Sequence, residues 1–147
     1  MSIGLSPSDF IGIPQFAWNV YKACRDCTGD YRALASEVAS LHRVLSEVAE
    51  NIKECELSPQ STERLAILGN GCQDVLERVE KTVASYDALK SEEVTLIAKL
   101  RRGKKRVKWV MESPGEIRTQ LMMHISLLSL FNSSLAATLM RFVLLDS

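Results

Sequence analysis

Apolar residues recur at alternating steps of three and four along most of the chain, the spacing that one face of an α-helix produces. The most regular run is Tyr31, Leu34, Val38, Leu41, Leu45, Val48, Ile52 and Cys55. A second run is Leu65, Leu68, Cys72, Val75, Val79, Val83 and Tyr86. A third run is Ile117, Leu121, His124, Leu128, Phe131, Leu135, Thr138 and Phe142. Each run predicts a long helix with one face in a core, and no stretch shows the sustained alternation of a β-strand.

Three Ser-Pro pairs, which begin at Ser6, Ser58 and Ser113, mark the expected starts of helices. A serine hydroxyl at an N-cap accepts a hydrogen bond from a free backbone N–H, and a proline at the first helical position has no N–H to leave unpaired. An acidic residue follows at the third helical position in two cases, Asp9 after Ser6 and Glu116 after Ser113. This spacing predicts a capping box at both of those starts.

An earlier helix is expected to carry Phe10, Ile13, Ala17, Val20 and Cys24 on its apolar face. A bend is predicted near Pro14, and an end near Gly29, with Asp30 capping the next helix. A shorter helix is predicted from Ser91 to Arg102. The sequence thus predicts an all-α fold, an up-and-down bundle of four main helices plus a short helix, in a single domain spanning residues 1–147. That domain is either a stand-alone protein or the N-terminal domain of a longer one.

The charge of the chain is balanced overall but uneven along it. The 147 residues include 18 basic and 18 acidic side chains, and a hydrophobic content of 46% is ordinary for a globular protein. One short segment carries seven of the basic residues, which are Lys99, Arg101, Arg102, Lys104, Lys105, Arg106 and Lys108. We predict that this basic cluster is either a solvated loop or a docking surface for anionic lipid or an acidic protein, with nucleic acid less favoured.

The N-terminal segment is a second candidate contact region because it is rich in large apolar residues. They are Ile3, Leu5, Phe10, Ile11 and Ile13. The simpler interpretation is a first helix that packs on the bundle. The alternative is a releasable amphipathic segment that engages a membrane or a partner copy.

A long uncharged run extends from Gln120 to Met140. Its length would permit a membrane span, but its helical stripe of apolar residues favours a buried helix of the bundle. The start of the chain shows no basic region or cleavage motif of a secretory signal. Together with four cysteines that do not suggest a disulfide scaffold, this predicts a cytoplasmic protein with reduced thiols.

No motif in the sequence indicates catalysis, a cofactor or a metal. Cys24 and Cys27 form a single C-x-x-C, without the second ligand pair that zinc requires. His42 and His124 lie far apart in the sequence, and neither has a nucleophile at a known motif spacing. The glycines around Asn70 lack the lysine of a phosphate-binding loop. We therefore predict a non-enzymatic protein with no catalytic, metal-binding or cofactor-binding residues.

A set of short motifs spreads along the chain up to about Leu135. The motifs are Gly4-Leu5-Ser6, Asp9-Phe10-Ile11, Ala17–Cys24, Leu34, Glu37–His42, Gly71–Leu76, Arg106–Trp109, Glu116–Arg118 and Leu127–Leu135. Together they resemble the N-terminal domain that precedes NACHT-type NTPase and ankyrin modules in the NOD-like receptors of filamentous fungi. The resemblance implies a HeLo-like helical bundle, related in architecture to membrane-acting bundles of fungal incompatibility and to four-helix executioner domains of necroptosis.

The resemblance also implies a function. Such domains act downstream of receptor oligomerisation, and the N-terminal helix of some members targets membranes. The expected function is therefore signalling or effector action in programmed cell death or incompatibility, through self-association or membrane contact. The expected partners are further copies of the chain or another helical domain, and anionic lipid. The alternative is an adaptor bundle that binds another protein and has no membrane activity.

Overall fold

The structure, a computed structural model, describes residues 6–91 and 113–146. Both ranges are helical, and neither contains a β-strand. The helices are α1 (Pro7–Phe10), α2 (Ile13–Arg25), α3 (Asp30–Ala33), α4 (Ala35–Lys53), α5 (Pro59–Ser91) and α6 (Pro114–Asp146). Four of them are long, so the predicted all-α bundle of four main helices is confirmed. The short helix predicted to follow Ser91 lies outside the described residues.

All three Ser-Pro pairs begin helices, as predicted. The Ser58 hydroxyl accepts a hydrogen bond from the backbone N–H of Ser61 at 3.1 Å, and the Ser113 hydroxyl accepts one from Glu116 at 3.2 Å. At Ser6 the capping box closes in both directions. Its hydroxyl accepts from the Asp9 N–H, and the Asp9 carboxylate accepts from the Ser6 N–H, each at 3.2 Å. These caps fix where α1, α5 and α6 begin.

The first predicted helix is divided into two. Instead of a bend at Pro14, the chain leaves helical structure after Phe10, and Pro14 lies in the first turn of α2. Proline is tolerated there because the first N–H groups of a helix have no partner within it. Helix α2 ends at Arg25, before the predicted end. Gly29, with φ of 72°, is the N-cap of α3, the position predicted for Asp30.

The direction of the chain alternates between successive long helices. The short connection through α3 makes α2 and α4 antiparallel neighbours, with the rings of Trp18 and His42 5.3 Å apart. Helices α5 and α6 are also antiparallel, since Arg78 in the later part of α5 hydrogen-bonds Gln120 near the start of α6. The predicted up-and-down arrangement is therefore observed.

The order of the helices around the bundle differs from their order in the chain. Helix α4 packs against α2 and α6, and α5 packs against the same two helices. Consecutive helices α4 and α5 thus lie diagonally across the bundle. As a result, α4 and α6 are parallel neighbours, joined near their starts by Glu37 and Arg118, with nitrogen and oxygen 3.4 Å apart.

The core is built from the apolar face of each long helix. Its largest fully buried side chains are Phe10, Leu34, Leu41, Leu45, Leu65, Leu76, Ile117, Leu121, Leu128, Val20, Val38 and Val48. Most of them belong to the stripes predicted from the sequence. Cys55, Leu68 and Tyr86 belong to the same stripes but are only partly buried and pack against the core. All four long helices therefore contribute to one core.

Candidate functional site

The described part of the N-terminal segment lies in the core. Phe10 is fully buried and Ile13 is 3% exposed, whereas Ile11 is 41% exposed. In this conformation Phe10 and Ile13 are not accessible to a membrane, and their burial fits a first helix packed on the bundle. Ile3 and Leu5 lie outside the described residues. Release of this segment stays a prediction.

The basic cluster from Lys99 to Lys108 also lies outside the described residues. Its role as an anionic docking surface stays a prediction that depends on the sequence alone.

The two cysteines of the C-x-x-C are both buried at the end of α2 and in the turn that follows. Burial, with a smaller effect of the neighbouring Cys27, raises the pKa of the Cys24 thiol to about 12. Because the thiolate is the reactive and metal-binding form, this environment favours an inert thiol. In the described ranges no group of three or more His, Cys, Asp and Glu side chains could hold a metal ion.

His124 on α6 lies half-buried against Gly71 of α5. The Cβ of an alanine at Gly71 would lie 2.7 Å from the His124 ring, so the glycine leaves the space that the ring occupies. Burial lowers the pKa of His124; the carboxylate of Asp74 acts in the opposite direction and the guanidinium of Arg78 in the same direction. Its Nδ1 is buried without a hydrogen-bond partner in the described part of the chain. This arrangement favours the neutral imidazole.

A polar bridge connects α4 and α6 beside the core. The Asn51 amide nitrogen donates to the Asn132 side-chain oxygen at 2.7 Å, and the Asn132 amide donates to the Glu47 carboxylate at 3.1 Å. These directional contacts fix how far along α4 the parallel α6 is placed. The bridge therefore has a structural role in setting the register of the two helices.

A small group of aromatic side chains on α2 and α4 makes its ring contacts within the molecule. Trp18 stacks on Tyr21 with ring centroids 4.9 Å apart, and Arg25 lies over the Tyr21 ring at 5.7 Å. Trp18 remains 38% exposed. Since these rings already contact one another, this group is a weaker candidate for a binding site than the surface of α6.

Helix α6 carries most of the large hydrophobic side chains that the described surface exposes. They are Met122, Met123, Leu127, Leu130, Met140, Val143, Leu144 and Leu145. Leu130 is 69% exposed, whereas Leu128, two residues earlier, is fully buried. The prediction of a buried bundle helix therefore holds for one stripe of α6 and not for the rest of its surface.

The exposed side of α6 also lacks charge. No Asp, Glu, Lys or Arg occurs between Arg118 and Arg141, although a solvent-facing helix surface normally carries such residues. The helix is long and apolar enough to cross a membrane by length and composition, and only 18% of its most apolar stretch is buried in the bundle. An exposed, uncharged apolar surface of this kind is typical of a protein or membrane contact.

The exposed residues include a second stripe with heptad spacing. It comprises Met123, Leu127, Leu130, Ser134, Ala137, Arg141 and Leu144, and we call it the outer stripe. At 3.6 residues per turn it lies about 120° around the helix from the core stripe. The core stripe was recognised from the sequence. The outer stripe was missed because its middle is filled by Ser134 and Ala137, although its alternating steps of four and three were a detectable signal.

An open groove of about 310 Å³ lies between the outer stripe and α5. Its α5 wall is formed by Arg64 and Leu68, and its α6 wall includes Leu127, Leu130 and Ser134. Ile67, beside this wall, is 65% exposed. The outer stripe, the groove and Ile67 together form the candidate functional site, a surface suited to an apolar partner.

Comparison with known proteins gives no relative for this chain, since no family model, no curated protein and no solved structure matches it.

Proposed function

We propose that this chain is a non-enzymatic signalling or effector bundle that acts by self-association or by membrane contact. The observation that carries the proposal is the exposed, uncharged face of α6 between Arg118 and Arg141. Removing apolar surface from water contributes about 25 cal/mol per Å². The exposed apolar side chains of this face, among them Met123, Leu127 and Leu130, therefore provide a substantial driving force for contact with another apolar surface.

The resemblance to N-terminal domains of fungal NOD-like receptors supports the same class of function. Domains of that type act after a receptor oligomerises, in programmed cell death or incompatibility. We propose a cytoplasmic protein that associates with membrane on activation, with further copies of itself and anionic lipid as partners. The basic cluster would supply the attraction to anionic lipid, at about 1 kcal/mol for each Lys or Arg near the surface.

The environment of the described cysteines supports a non-enzymatic role. Burial raises the pKa of both Cys24 and Cys72 to about 12, so neither thiol is prepared to act as a nucleophile near neutral pH.

Vesicle flotation tests the membrane part of the proposal. We expect the full chain to float with vesicles that contain phosphatidylserine and to float less with phosphatidylcholine alone. Raising the salt concentration should weaken this binding, because it shortens the Debye length. Replacing Lys104, Lys105 and Arg106 by Ala should reduce it. Removing residues 1–13 should remove any part that resists salt, and circular dichroism must show that the bundle still folds without the buried Phe10 and Ile13.

Sedimentation equilibrium of the same preparation tests self-association. A chain that stays monomeric and ignores both kinds of vesicle would contradict the proposed function. The groove between α5 and α6 would then favour the alternative, an adaptor that binds a different protein.

A further inference from the structure

The outer stripe of α6 carries large side chains followed by small ones, in an order that complements itself when reversed. The large residues Met123, Leu127 and Leu130 are followed by the small residues Ser134 and Ala137. If two such helices meet antiparallel near Leu130, the two copies of Leu130 face each other at the axis, and the large side chains on either side of it face small ones. Met123 then lies opposite Ala137 of the second copy, and Leu127 opposite its Ser134. Large side chains facing small ones let helix surfaces interdigitate.

The charged residues along the same stripe are also complementary in this orientation. Glu116 lies in line with the start of the outer stripe, Arg141 lies near its end, and both are exposed. In the antiparallel arrangement, Arg141 of one copy lies about one helical turn, roughly 5 Å, from the position of Glu116 in the other. A parallel arrangement would instead place Arg141 beside Arg141 and Glu116 beside Glu116. The charges therefore favour the antiparallel orientation.

The last part of α6 extends beyond the helices that cover it. Asn132 lies opposite Asn51, near the end of α4, and Arg64, near the start of α5, shares a groove with Ser134. Helix α6 then continues for about ten residues, or about 15 Å. Leu144 and Leu145 in this extension are 72% and 82% exposed. In the antiparallel arrangement the extension of each copy lies along the first part of the other α6.

From these observations we propose that α6 is a homotypic interface, on which a second copy of this chain docks antiparallel about a two-fold axis near Leu130. Leu68 on α5 forms the side of this interface, since it lines the groove beside the outer stripe. The inference rests on the self-association named in the proposed function and assigns its surface and orientation. A membrane surface would require neither the heptad spacing, nor the succession of large and then small residues, nor the opposed charges.

Sedimentation of a matched pair of variants tests the position of the interface. Leu130→Glu places a charge at the two-fold axis in both copies, whereas Met122→Glu places one on an exposed apolar position of α6 outside the outer stripe. We expect the dimer dissociation constant to rise about 100-fold or more for Leu130→Glu, which corresponds to at least tenfold for each copy. For Met122→Glu we expect a change below about threefold. Because both positions are exposed, circular dichroism should show folded bundles for both.

Disulfide cross-linking tests the orientation. In a Cys55→Ser background the remaining cysteines are buried, so a new surface cysteine reports on the interface alone. A mixture of Met123→Cys and Ala137→Cys chains should form a mixed disulfide under mild oxidation, because the antiparallel arrangement places these residues opposite each other. Met123→Cys chains alone should cross-link at least about tenfold less. Efficient cross-linking between Met123→Cys chains alone would overturn the antiparallel orientation.

Charge reversal provides an independent check. Glu116→Arg and Arg141→Glu should each raise the dimer dissociation constant by about threefold to tenfold. In the double variant the dissociation constant should return most of the way to the wild-type value. A wild-type chain that stays monomeric but floats with anionic vesicles would overturn the α6 interface and leave the proposed function standing. A chain that associates equally well with and without Leu130→Glu would also overturn it. A chain that neither associates nor binds vesicles would overturn both.

Discussion

Helices α5 and α6 are the two longest in the bundle, each of 33 residues, and they pack antiparallel against each other. Both present one stripe to the same core, with Leu65 and Val79 buried on α5 and Leu121 and Leu128 buried on α6. Their remaining surfaces differ. Helix α5 contains nine charged residues, whereas α6 contains four, all near its ends.

Helix α5 shows the surface that packing in a bundle requires, which is an apolar inner stripe and a charged outer side. Helix α6 has, in addition, the exposed apolar side that a contact surface requires. The outer side of α5 carries charged residues, as expected for a helix surface that faces solvent, and its inner stripe packs in the core. The outer side of α6 adds nothing to the core, yet it exposes apolar side chains that the fold does not need. Apolar exposure without a structural reason indicates a partner.

The largest expected effect is the difference in stability between variants on the two faces of α6. Leu128→Ala should destabilise the bundle by about 2–5 kcal/mol, because it removes a fully buried side chain and leaves a cavity. Leu130→Ala should change the stability of the monomer by no more than about 0.5 kcal/mol, because Leu130 is 69% exposed. Urea denaturation of dilute protein measures both values. Similar losses for the two variants would mean that the outer stripe belongs to the core.

The next effect concerns the bridge that sets the register of α6 on α4. Asn132→Ala removes the acceptor of Asn51 and the donor to Glu47 together, and should cost about 1–2 kcal/mol. Ser133→Ala, at the next and exposed position of the same helix, is the matched control and should be nearly neutral. Thermal unfolding followed by circular dichroism compares them. Equal melting temperatures would show that the bridge adds no stability.

A smaller effect is expected at the close approach of α5 and α6. Gly71→Ala should lower the free energy of unfolding by about 1 kcal/mol. The gain in helix propensity is outweighed because the new Cβ would lie 2.7 Å from the His124 ring. In a His124→Ala background the same substitution should be neutral or stabilising. Gly115→Ala is the control, since nothing lies within 4 Å of its added Cβ. A loss at Gly71 that persists without His124 would contradict this account.

The smallest effect is the pH dependence due to His124. Burial lowers its pKa in the folded chain below the ordinary value of 6.5, so the unfolded chain binds the proton more readily. Stability should therefore fall as the pH drops below about 6.5. His124→Gln, which does not titrate, should show a smaller fall over the same range. Melting temperatures measured from pH 7 downwards test this, and parallel curves for the two proteins would exclude a contribution from His124.

Local signals in the sequence determined the helical elements and their inner faces. The capping residues Ser6, Ser58 and Ser113 fixed three helix starts, because a hydroxyl acts on N–H groups only two or three residues away. The apolar stripes identified core residues such as Leu41 and Leu128, because side chains three or four positions apart share a helix face whatever the rest of the fold does. The division between α1 and α2 was missed, since a single Pro14 suits both a bend and a helix start.

Tertiary structure decided which helices are neighbours and which surfaces remain uncovered. The sequence gives no direct indication that α4 and α5 lie diagonally, because a short connection constrains only the ends that it joins. The packing also decides what stays exposed: α4 and α5 both border α6, yet Leu130 and Leu144 remain largely exposed. Hydrophobic spacing shows that a face is apolar, but burial depends on where the other helices stop. The sequence therefore determined the composition of α6, and only the packing of the bundle left its outer face exposed.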